Sequence, residues 1–276
     1  MKSGIIEQLV HCTVRLETTL QDGTPQYGTG FYMDFLYGNM RCPLIITNKH
    51  VVKGCKTLKF HVTMAKDDGS PDIGNHRCFE IPDFQDLCVE HPDQNVDLVA
   101  IAIARLLDRL EKSGNRVFYM TLPIEQIPKT IEWESLSFME DIIMIGYPNG
   151  IWDETNNLPI IRRGITATHC NIDYNGKAEF LTDIASFPGS SGSPVFLVSI
   201  DKYTDNKGND SVGTRAFLLG IHCAGGCTES INGIKIFNHL GVVINSKRIL
   251  EIEKLIQERF VVNSPRRIAA KLPYII

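Results

Sequence analysis

No stretch of this sequence approaches the run of about 20 apolar residues with which a helix crosses a bilayer. Residues 1–8 also lack the apolar core and the small-residue cleavage site of a secretory signal. Positive charge is not in excess, because 28 Lys and Arg are outnumbered by 32 Asp and Glu. These absences predict a protein with neither a membrane nor a nucleic acid as partner. If residue 1 is the natural start, they also predict a cytoplasmic location.

The eight cysteines follow no spacing that is typical of a metal site. Cys42 and Cys55 stand alone, and His222-Cys223 with Cys227 lacks the second pair of ligands that zinc sites combine. In a reducing cytoplasm, cysteines usually serve as small buried hydrophobic residues and not as disulfides. We therefore expect no disulfide, no metal ion and no other cofactor.

The composition is that of a soluble globular protein, with 43% hydrophobic and 22% charged residues in a chain of 276. Short runs rich in Val, Ile, Thr and Phe are separated by Gly, Pro, Asn and Asp, which indicates an all-β fold. Ten such runs are candidate strands, at residues 10–16, 28–35, 44–47, 57–63, 98–104, 142–147, 161–167, 193–198, 217–222 and 241–244.

Two segments have the apolar spacing of helices. One covers residues 106–112 and ends at a Ser-Gly-Asn stop signal. The other follows Asn245-Ser246, a typical helix cap, and repeats Ile and Leu at helical intervals between Lys and Glu. This second segment predicts a helix that closes the domain, followed at residues 264–271 by a basic, solvated tail.

The segment Phe-Pro-Gly-Ser-Ser-Gly-Ser-Pro, residues 187–194, predicts a tight turn that exposes the hydroxyl of Ser191. A serine hydroxyl needs a histidine base and a group that orients this base before it can attack a carbonyl. Gly189, which has no Cβ, can turn its N–H toward a developing oxyanion together with the N–H of Ser191. The turn alone is weak evidence, since Ser and Gly are common in loops.

Two further residues strengthen this interpretation. His50 directly follows the apolar run 44–47, and Asp97 directly precedes the apolar run that starts at residue 98. A carboxylate at the start of an apolar strand needs a polar partner, which an imidazole would supply. The chain order His, Asp, Ser is that of the chymotrypsin arrangement and not of the subtilisin or α/β-hydrolase arrangements. We therefore predict a catalytic triad of His50, Asp97 and Ser191.

Six ordered motifs together resemble the protease domain of the trypsin-like superfamily over residues 10–258, with particular likeness to its Deg-type and glutamyl-endopeptidase branches. These motifs are GTGF at 28–31, ITNKHVV at 46–52, VDLVAIAI at 96–103, IGYP at 145–148, RGI at 163–165 and TDIASFPGSSGSP at 182–194.

The resemblance implies an all-β protein with two six-stranded antiparallel barrels of the chymotrypsin type, a catalytic cleft between them and a C-terminal α-helix. The first barrel, in residues 1–120, would carry His50 and Asp97. The second, in residues 121–245, would carry Ser191 and the specificity pocket, and residues 246–276 would form the closing helix and basic tail.

One position departs from the pattern of trypsin-type zymogens. Those proteins resemble one another in having an aspartate before the nucleophile, which pairs with a newly cut amino terminus, whereas this chain has Ser190 there. We therefore expect no activation by cleavage near the amino terminus.

The likeness to the family implies a specificity pocket lined by Ala185, Ser186, His222 and Gly225. Ala185 takes the position at which trypsin-like pockets carry an aspartate, so a basic substrate residue would bury an unpaired charge. Gly-Ile-His followed by glycines resembles glutamyl endopeptidases and picornaviral processing proteases, and His222 and Ser186 could donate to glutamate or glutamine before the scissile bond. Two alternatives remain open: an uncharged pocket could select small aliphatic residues, and His222 could be an internally bonded core residue.

The predicted function is that of a serine endopeptidase acting on protein or peptide substrates. A regulatory partner protein is compatible with this function. Two other classes stay open: a catalytically silent peptide-binding module on the same fold, and an esterase that uses the same acyl chemistry. Reaction with a fluorophosphonate would exclude the first, and substrate choice would separate the second.

Overall fold

The computed structural model describes residues 4–37, 40–229 and 235–262. The basic tail expected at residues 264–271 lies outside these ranges. Within them, no helix combines the length and the apolar character that crossing a membrane requires.

The first half of the chain folds into a nine-stranded sheet. Its main path has the order β5-β4-β1-β2-β3-β7-β6, and the two remaining short strands, β8 and β9, pair with β4 and β2. The strands are β1 (Thr13–Leu20), β2 (Pro25–Tyr37), β3 (Met40–Thr47), β4 (Cys55–Ala65), β5 (Pro71–Pro82), β6 (Cys88–Glu90), β7 (Val99–Ala102), β8 (Val117–Phe118) and β9 (Leu122–Pro123).

The second half forms a closed six-stranded barrel with the order β10-β11-β12-β17-β16-β13, and β14 and β15 make a separate hairpin between β13 and β16. The strands are β10 (Asp141–Gly146), β11 (Ile160–Thr166), β12 (Glu179–Asp183), β13 (Pro194–Ser199), β14 (Lys202–Thr204), β15 (Asp210–Val212), β16 (Arg215–Glu229) and β17 (Lys235–Asn245).

The mostly β fold that the sequence predicts is confirmed, with one closed six-stranded barrel. The first half differs from the expected six-stranded barrel, because its hydrogen-bonded path runs from β5 to β6 without closing. The edge strand β5 has no buried residue, so hydrophobic alternation does not mark it in the sequence. By contrast, β4 buries Leu58, Phe60 and Val62 at alternate positions, as a half-buried strand should. The domain boundaries at residues 120 and 245 stay a prediction.

Helices are short, and they connect or close the sheets. The α-helices are α1 (Ile5–Val10), α2 (Lys49–Val52), α3 (Ala104–Lys112), α4 (Thr130–Glu134) and α5 (Glu253–Ile256). Segments of 3-10 helix are Phe84–Leu87, Ile124–Gln126, Pro148–Gly150 and Ser246–Ile252, and Gln257–Val262 is a π-helix.

The closing helix begins where the sequence predicts it, since the side chain of Asn245 accepts a hydrogen bond from the N–H of Lys247 at 3.0 Å. The element is less regular than the expected α-helix, because only α5 is α-helical between the 3-10 and π segments. Ile249, Ile252 and Ile256 are nonetheless fully buried. Burial of an aliphatic side chain contributes about 1.5–3 kcal/mol, so packing and not helical regularity holds this segment.

A single hydrophobic cluster joins the two halves of the molecule. It contains Phe31 and Leu44 from the first sheet, Ile145 and Phe196 from the barrel, and Ile249 from the closing segment. Because dense packing resists sliding, this shared core fixes the relative position of the loops that emerge between the halves. Those loops form the site described next.

Candidate active site

Strand pairing brings His50 and Asp97 together. Strands β3 and β7 are antiparallel, with Thr47 opposite Val99, so the residues that follow β3 meet those that precede β7. The imidazole Nδ1 of His50 lies 2.5 Å from the carboxylate Oδ2 of Asp97, and the backbone N–H of His50 donates to Asp97 Oδ1 at 3.0 Å. The imidazole is 49% exposed. One nitrogen of the ring is therefore held by the carboxylate, while the ring itself remains open to solvent.

Asn48 supports this pair, and the sequence interpretation missed it. Its side chain is buried, and its amide donates to the backbone carbonyl of Asp97 at 2.8 Å. The residue thereby anchors the backbone that carries the carboxylate. The only sequence signal is its position beside His50, which does not reveal the contact.

Ser191 lies in a turn whose shape depends on glycine. The N–H of Ser190 donates to Phe187 O at 2.9 Å, and the N–H of Ser193 donates to Ser190 O at 3.0 Å. Gly192 has a φ of +86°, and a Cβ at this residue would overlap the carbonyl oxygen of Thr29. Only glycine fits this combination of φ and close backbone approach.

Two backbone N–H groups of this turn are available to a ligand. Because a trans peptide is planar, its C=O and N–H point in opposite directions. The carbonyl of Pro188 accepts from Asn149 N at 2.5 Å, which directs the N–H of Gly189 away from Asn149. The carbonyl of Ser190 is likewise engaged, which directs the N–H of Ser191 to the opposite side. Within the described part of the chain, neither N–H has a hydrogen-bond partner.

His50, Gly189 and Ser191 border the same cleft, which has a volume of about 580 Å³. Its other lining residues are Pro25, Gln26, Tyr27, Val51, Asn149 and Pro188. The hydroxyl of Ser191 donates to the carbonyl of Cys223 at 3.5 Å and not to His50. Loose catalytic hydrogen bonds are common in proteases without substrate, and rotation of the serine side chain would redirect the hydroxyl. The structure therefore brings the three predicted catalytic residues to one place.

Three of the four predicted pocket residues, Ser186, His222 and Gly225, form a second cluster, outside the lining of that cleft. The imidazole Nε2 of His222 and the hydroxyl of Ser186 are 2.7 Å apart, and both side chains are buried. A Cβ at Gly225 would lie 3.0 Å from Ser186 Oγ, so these two residues face each other. The cluster adjoins the turn that carries Ser191, since the N–H of Gly192 in this turn donates to His222 O at 2.8 Å.

His222 is a neutral residue at physiological pH. Burial, with smaller contributions from the nearby Arg162 guanidinium and His50 imidazole, lowers the pKa of His222 to about 3. Its Nδ1 atom is buried without a hydrogen-bond partner in the described residues. An unpaired acceptor is less costly here than an unpaired N–H, which favours the tautomer with the proton on Nε2.

Arg162 was not anticipated from the sequence. Its Nη1 donates to the carbonyl of Ala185 at 2.9 Å and to the hydroxyl of Ser190 at 2.8 Å. Two adjacent arginines occur in β11, and successive side chains of a strand point to opposite faces of the sheet, so one of the two arginines must point inward. Alternation is thus the signal that could have indicated an inward arginine. Among the described residues, no cluster of three His, Cys, Asp or Glu side chains could hold a metal ion.

The sequence pattern of the trypsin-like peptidase domain matches residues 28–199. Three solved structures are similar in fold. The HtrA-type protease AlgW with a tripeptide has a TM-score of 0.51 and 19% identity, and the match covers 92% of this chain and 62% of that one. The serine endoprotease from Yersinia pestis has a TM-score of 0.50, 17% identity and coverages of 94% and 68%. The Rv3671c protease from M. tuberculosis in its active form has a TM-score of 0.50 and 14% identity, and the match covers 96% of this chain and 86% of that one.

At these identities the structural likeness concerns the fold alone. The chain spans about 62% of the length of the AlgW structure, so the activity of a whole relative does not transfer with the match. A comparison with curated protein sequences gives no match.

Proposed function

Because the chain belongs to the family of trypsin-like peptidases, we propose that it hydrolyses peptide bonds by acyl transfer through Ser191. The observation that carries this proposal is the arrangement of His50, Asp97 and Ser191. The imidazole is 2.5 Å from the carboxylate, and it shares one open cleft with the serine and with Gly189.

The geometry supports a complete acyl-transfer sequence. The free nitrogen of His50 takes the proton of Ser191 as Oγ bonds to the substrate carbonyl carbon, and the carbonyl oxygen becomes an oxyanion bound by the N–H groups of Gly189 and Ser191. Asp97 holds the imidazole in the required tautomer and stabilises its positive charge. Collapse breaks the C–N bond, with the proton passing from His50 to the leaving amine. Water then hydrolyses the acyl-enzyme through the same proton transfers.

Fluorophosphonate labelling combined with peptide-library profiling tests this function. An activated serine should form a covalent adduct that mass spectrometry locates on Ser191, and cleaved peptides should appear in the library. A silent binding module would give neither result. An esterase would be labelled and would hydrolyse activated esters, but it would leave the library intact.

The intact chain should be active without trimming, and this is a prediction of its own. Ser190 offers no carboxylate for a new amino terminus. The amino-terminal segment is also part of the core, because Leu9 of α1 is fully buried. Its removal should destabilise the protein by about 2–5 kcal/mol, the usual effect of deleting a buried leucine side chain.

Kinetics on the purified chain beginning at Met1, before and after limited proteolysis, check this prediction. Activation by trimming near residues 5–30 would contradict it. A reducing agent should leave activity unchanged, since Cys12, Cys42 and Cys223, among other described cysteines, are free thiols. The cytoplasmic location stays a prediction from the sequence.

For specificity, we propose that the pocket selects glutamate or glutamine before the scissile bond. With its proton on Nε2, His222 donates to Ser186 Oγ and leaves the Ser186 O–H free to donate to a carboxylate or an amide oxygen. Ala185 contributes no charge that would favour lysine or arginine. Because His222 is neutral, it acts on the substrate indirectly, by orienting the Ser186 hydroxyl through this hydrogen bond, and not through charge.

His222→Ala should lower kcat/KM for glutamate and glutamine substrates by about 10- to 100-fold, the effect of losing an oriented hydrogen bond to a buried polar group. Substrates with an aliphatic residue at that position should change much less. Ser186→Ala should give the same pattern with a smaller perturbation of packing. Library profiles that favour valine or alanine, and that neither substitution alters, would exclude this specificity and leave the protease function standing.

A further inference from the structure

Arg162 and Arg163 are adjacent on β11 but have opposite surroundings. The side chain of Arg163 is 74% exposed and pairs with Asp141 at 3.2 Å on the surface. Arg162 points inward, and its Nε and Nη2 atoms are buried without a hydrogen-bond partner among the described residues. The two residues therefore provide a natural comparison between an inward and an outward guanidinium at one site.

The charge of Arg162 is not neutralised. No carboxylate in the described part of the chain forms an ion pair with it. Burial alone lowers the pKa of Arg162 to about 10, so the group remains charged at neutral pH. A buried, unpaired cation is unfavourable for folding, and it is normally found next to a carboxylate. Its presence here calls for a role other than stability.

The Arg162 side chain donates hydrogen bonds to the segment that leads into the turn carrying Ser191. Nη1 bonds to Ala185 O and to Ser190 Oγ, so one guanidinium nitrogen connects both ends of the segment 185–190. Ser190 is fully buried, and its hydroxyl also accepts from Phe187 N at 3.2 Å. Since Ser190 stands between Gly189 and Ser191, a rotation of its backbone would change the direction of the free Ser191 N–H relative to that of Gly189.

We propose that Arg162 is the positioning residue of the oxyanion turn, which we define as residues 187–191. By holding Ser190 and Ala185 from β11, it keeps the N–H groups of Gly189 and Ser191 directed into the cleft in the intact chain. The positive charge behind the turn further favours a negative oxygen in front of it, because charges interact strongly where water is excluded. The proposal rests on the proposed protease function and adds the means by which its oxyanion site is assembled.

Arg162→Met should reduce kcat by about 100-fold with little change in KM, because misplacing an oxyanion donor weakens only transition-state binding. Arg162→Lys, which keeps the charge and one donor group, should recover part of the loss. Arg163→Met is the matched control on the same strand, and it should leave kcat within twofold of the wild-type value.

Amide hydrogen exchange provides a readout that does not depend on activity. In Arg162→Met, exchange should accelerate at the two hydrogen-bonded amides of the turn, those of Phe187 and Ser190, while β13 and β16 stay protected. Arg163→Met should show no change at these two amides. If Arg162→Met fails to fold, Arg162→Gln, which keeps a donor but not the charge, replaces it in both measurements.

The outcomes separate this proposal from the function on which it rests. A wild-type chain that neither cleaves peptides nor reacts with fluorophosphonate would refute the proposed function. Hydrogen exchange would still test whether Arg162 holds the turn. Unchanged kcat, or unchanged exchange of the Phe187 and Ser190 amides in the Arg162 variants, would overturn the positioning role. A fall in kcat with faster exchange confined to this turn, partly reversed by lysine, is the result expected.

Discussion

Ser191→Ala should abolish peptide hydrolysis and lower kcat by about six orders of magnitude, the effect known for removing the nucleophile of a serine protease triad. The variant has no oxygen with which to form the acyl-enzyme, so neither the histidine nor the oxyanion site can act on a covalent intermediate. Folding should be unaffected, because Ser191 Oγ makes one long hydrogen bond of 3.5 Å, whose loss is worth less than about 1 kcal/mol.

Ser193→Ala is a matched control two residues away in the same turn. Its hydroxyl is buried and has no hydrogen-bond partner in the described residues, so its removal should alter neither activity nor stability. The measurements are kcat/KM on a cleaved library peptide and the thermal unfolding midpoint of both variants. Hydrolysis by Ser191→Ala at the wild-type rate would refute the assignment of Ser191 as nucleophile, although the family membership would stand.

Asp97→Asn should lower kcat by about four orders of magnitude, as the corresponding substitution does in the chymotrypsin-type triad. Asp97 Oδ2 accepts from the Nδ1–H of His50 at 2.5 Å, which leaves the other ring nitrogen free to take the serine proton. An asparagine amide can donate to Nδ1 and thereby stabilise the opposite tautomer, whose Nε2 already carries a proton. It also provides no negative charge to stabilise the imidazolium.

The fold should tolerate Asp97→Asn. Asn48 contacts the backbone carbonyl of residue 97 and not its side chain, so this anchor remains in the variant. Asp93→Asn is the matched control, because Asp93 is a nearby carboxylate that pairs with Arg248 at 3.1 Å and is 45% exposed. Surface ion pairs contribute at most about 1 kcal/mol, so activity should change less than twofold. A loss below tenfold for Asp97→Asn would mean that the orientation of His50 does not depend on this carboxylate.

Much of the candidate site could be predicted from the sequence because its signals are local. The glycines around Ser191 indicate a tight turn, and the apolar runs next to His50 and Asp97 indicate strand ends, within a few residues in each case. Chain order then selects one arrangement among the known triads. The cap at Asn245 was equally readable, since a capping side chain bonds to a backbone group two residues away.

Other features depended on contacts between distant segments. The register of β3 against β7 brings His50 into contact with Asp97. No local sequence pattern shows which residues of the two strands pair. Among the residues that the structure describes, no strand joins the two edges of the first sheet, although the strand content alone was compatible with a closed barrel. His222 could have faced a substrate or the core by its sequence context, and the fold buries it against Ser186.

The family, the mostly β class and the three candidate catalytic residues could be predicted from the sequence, because each depends on chemistry encoded within short segments. Which of the two adjacent arginines points into the protein, and which groups it binds there, became clear from the folded structure. Arg162 lies 28 positions before Ser190, and their hydrogen bond exists because the barrel brings β11 next to the oxyanion turn. Burial and hydrogen-bond partners are properties of the assembled chain, so the support of the oxyanion turn could be recognised only after folding.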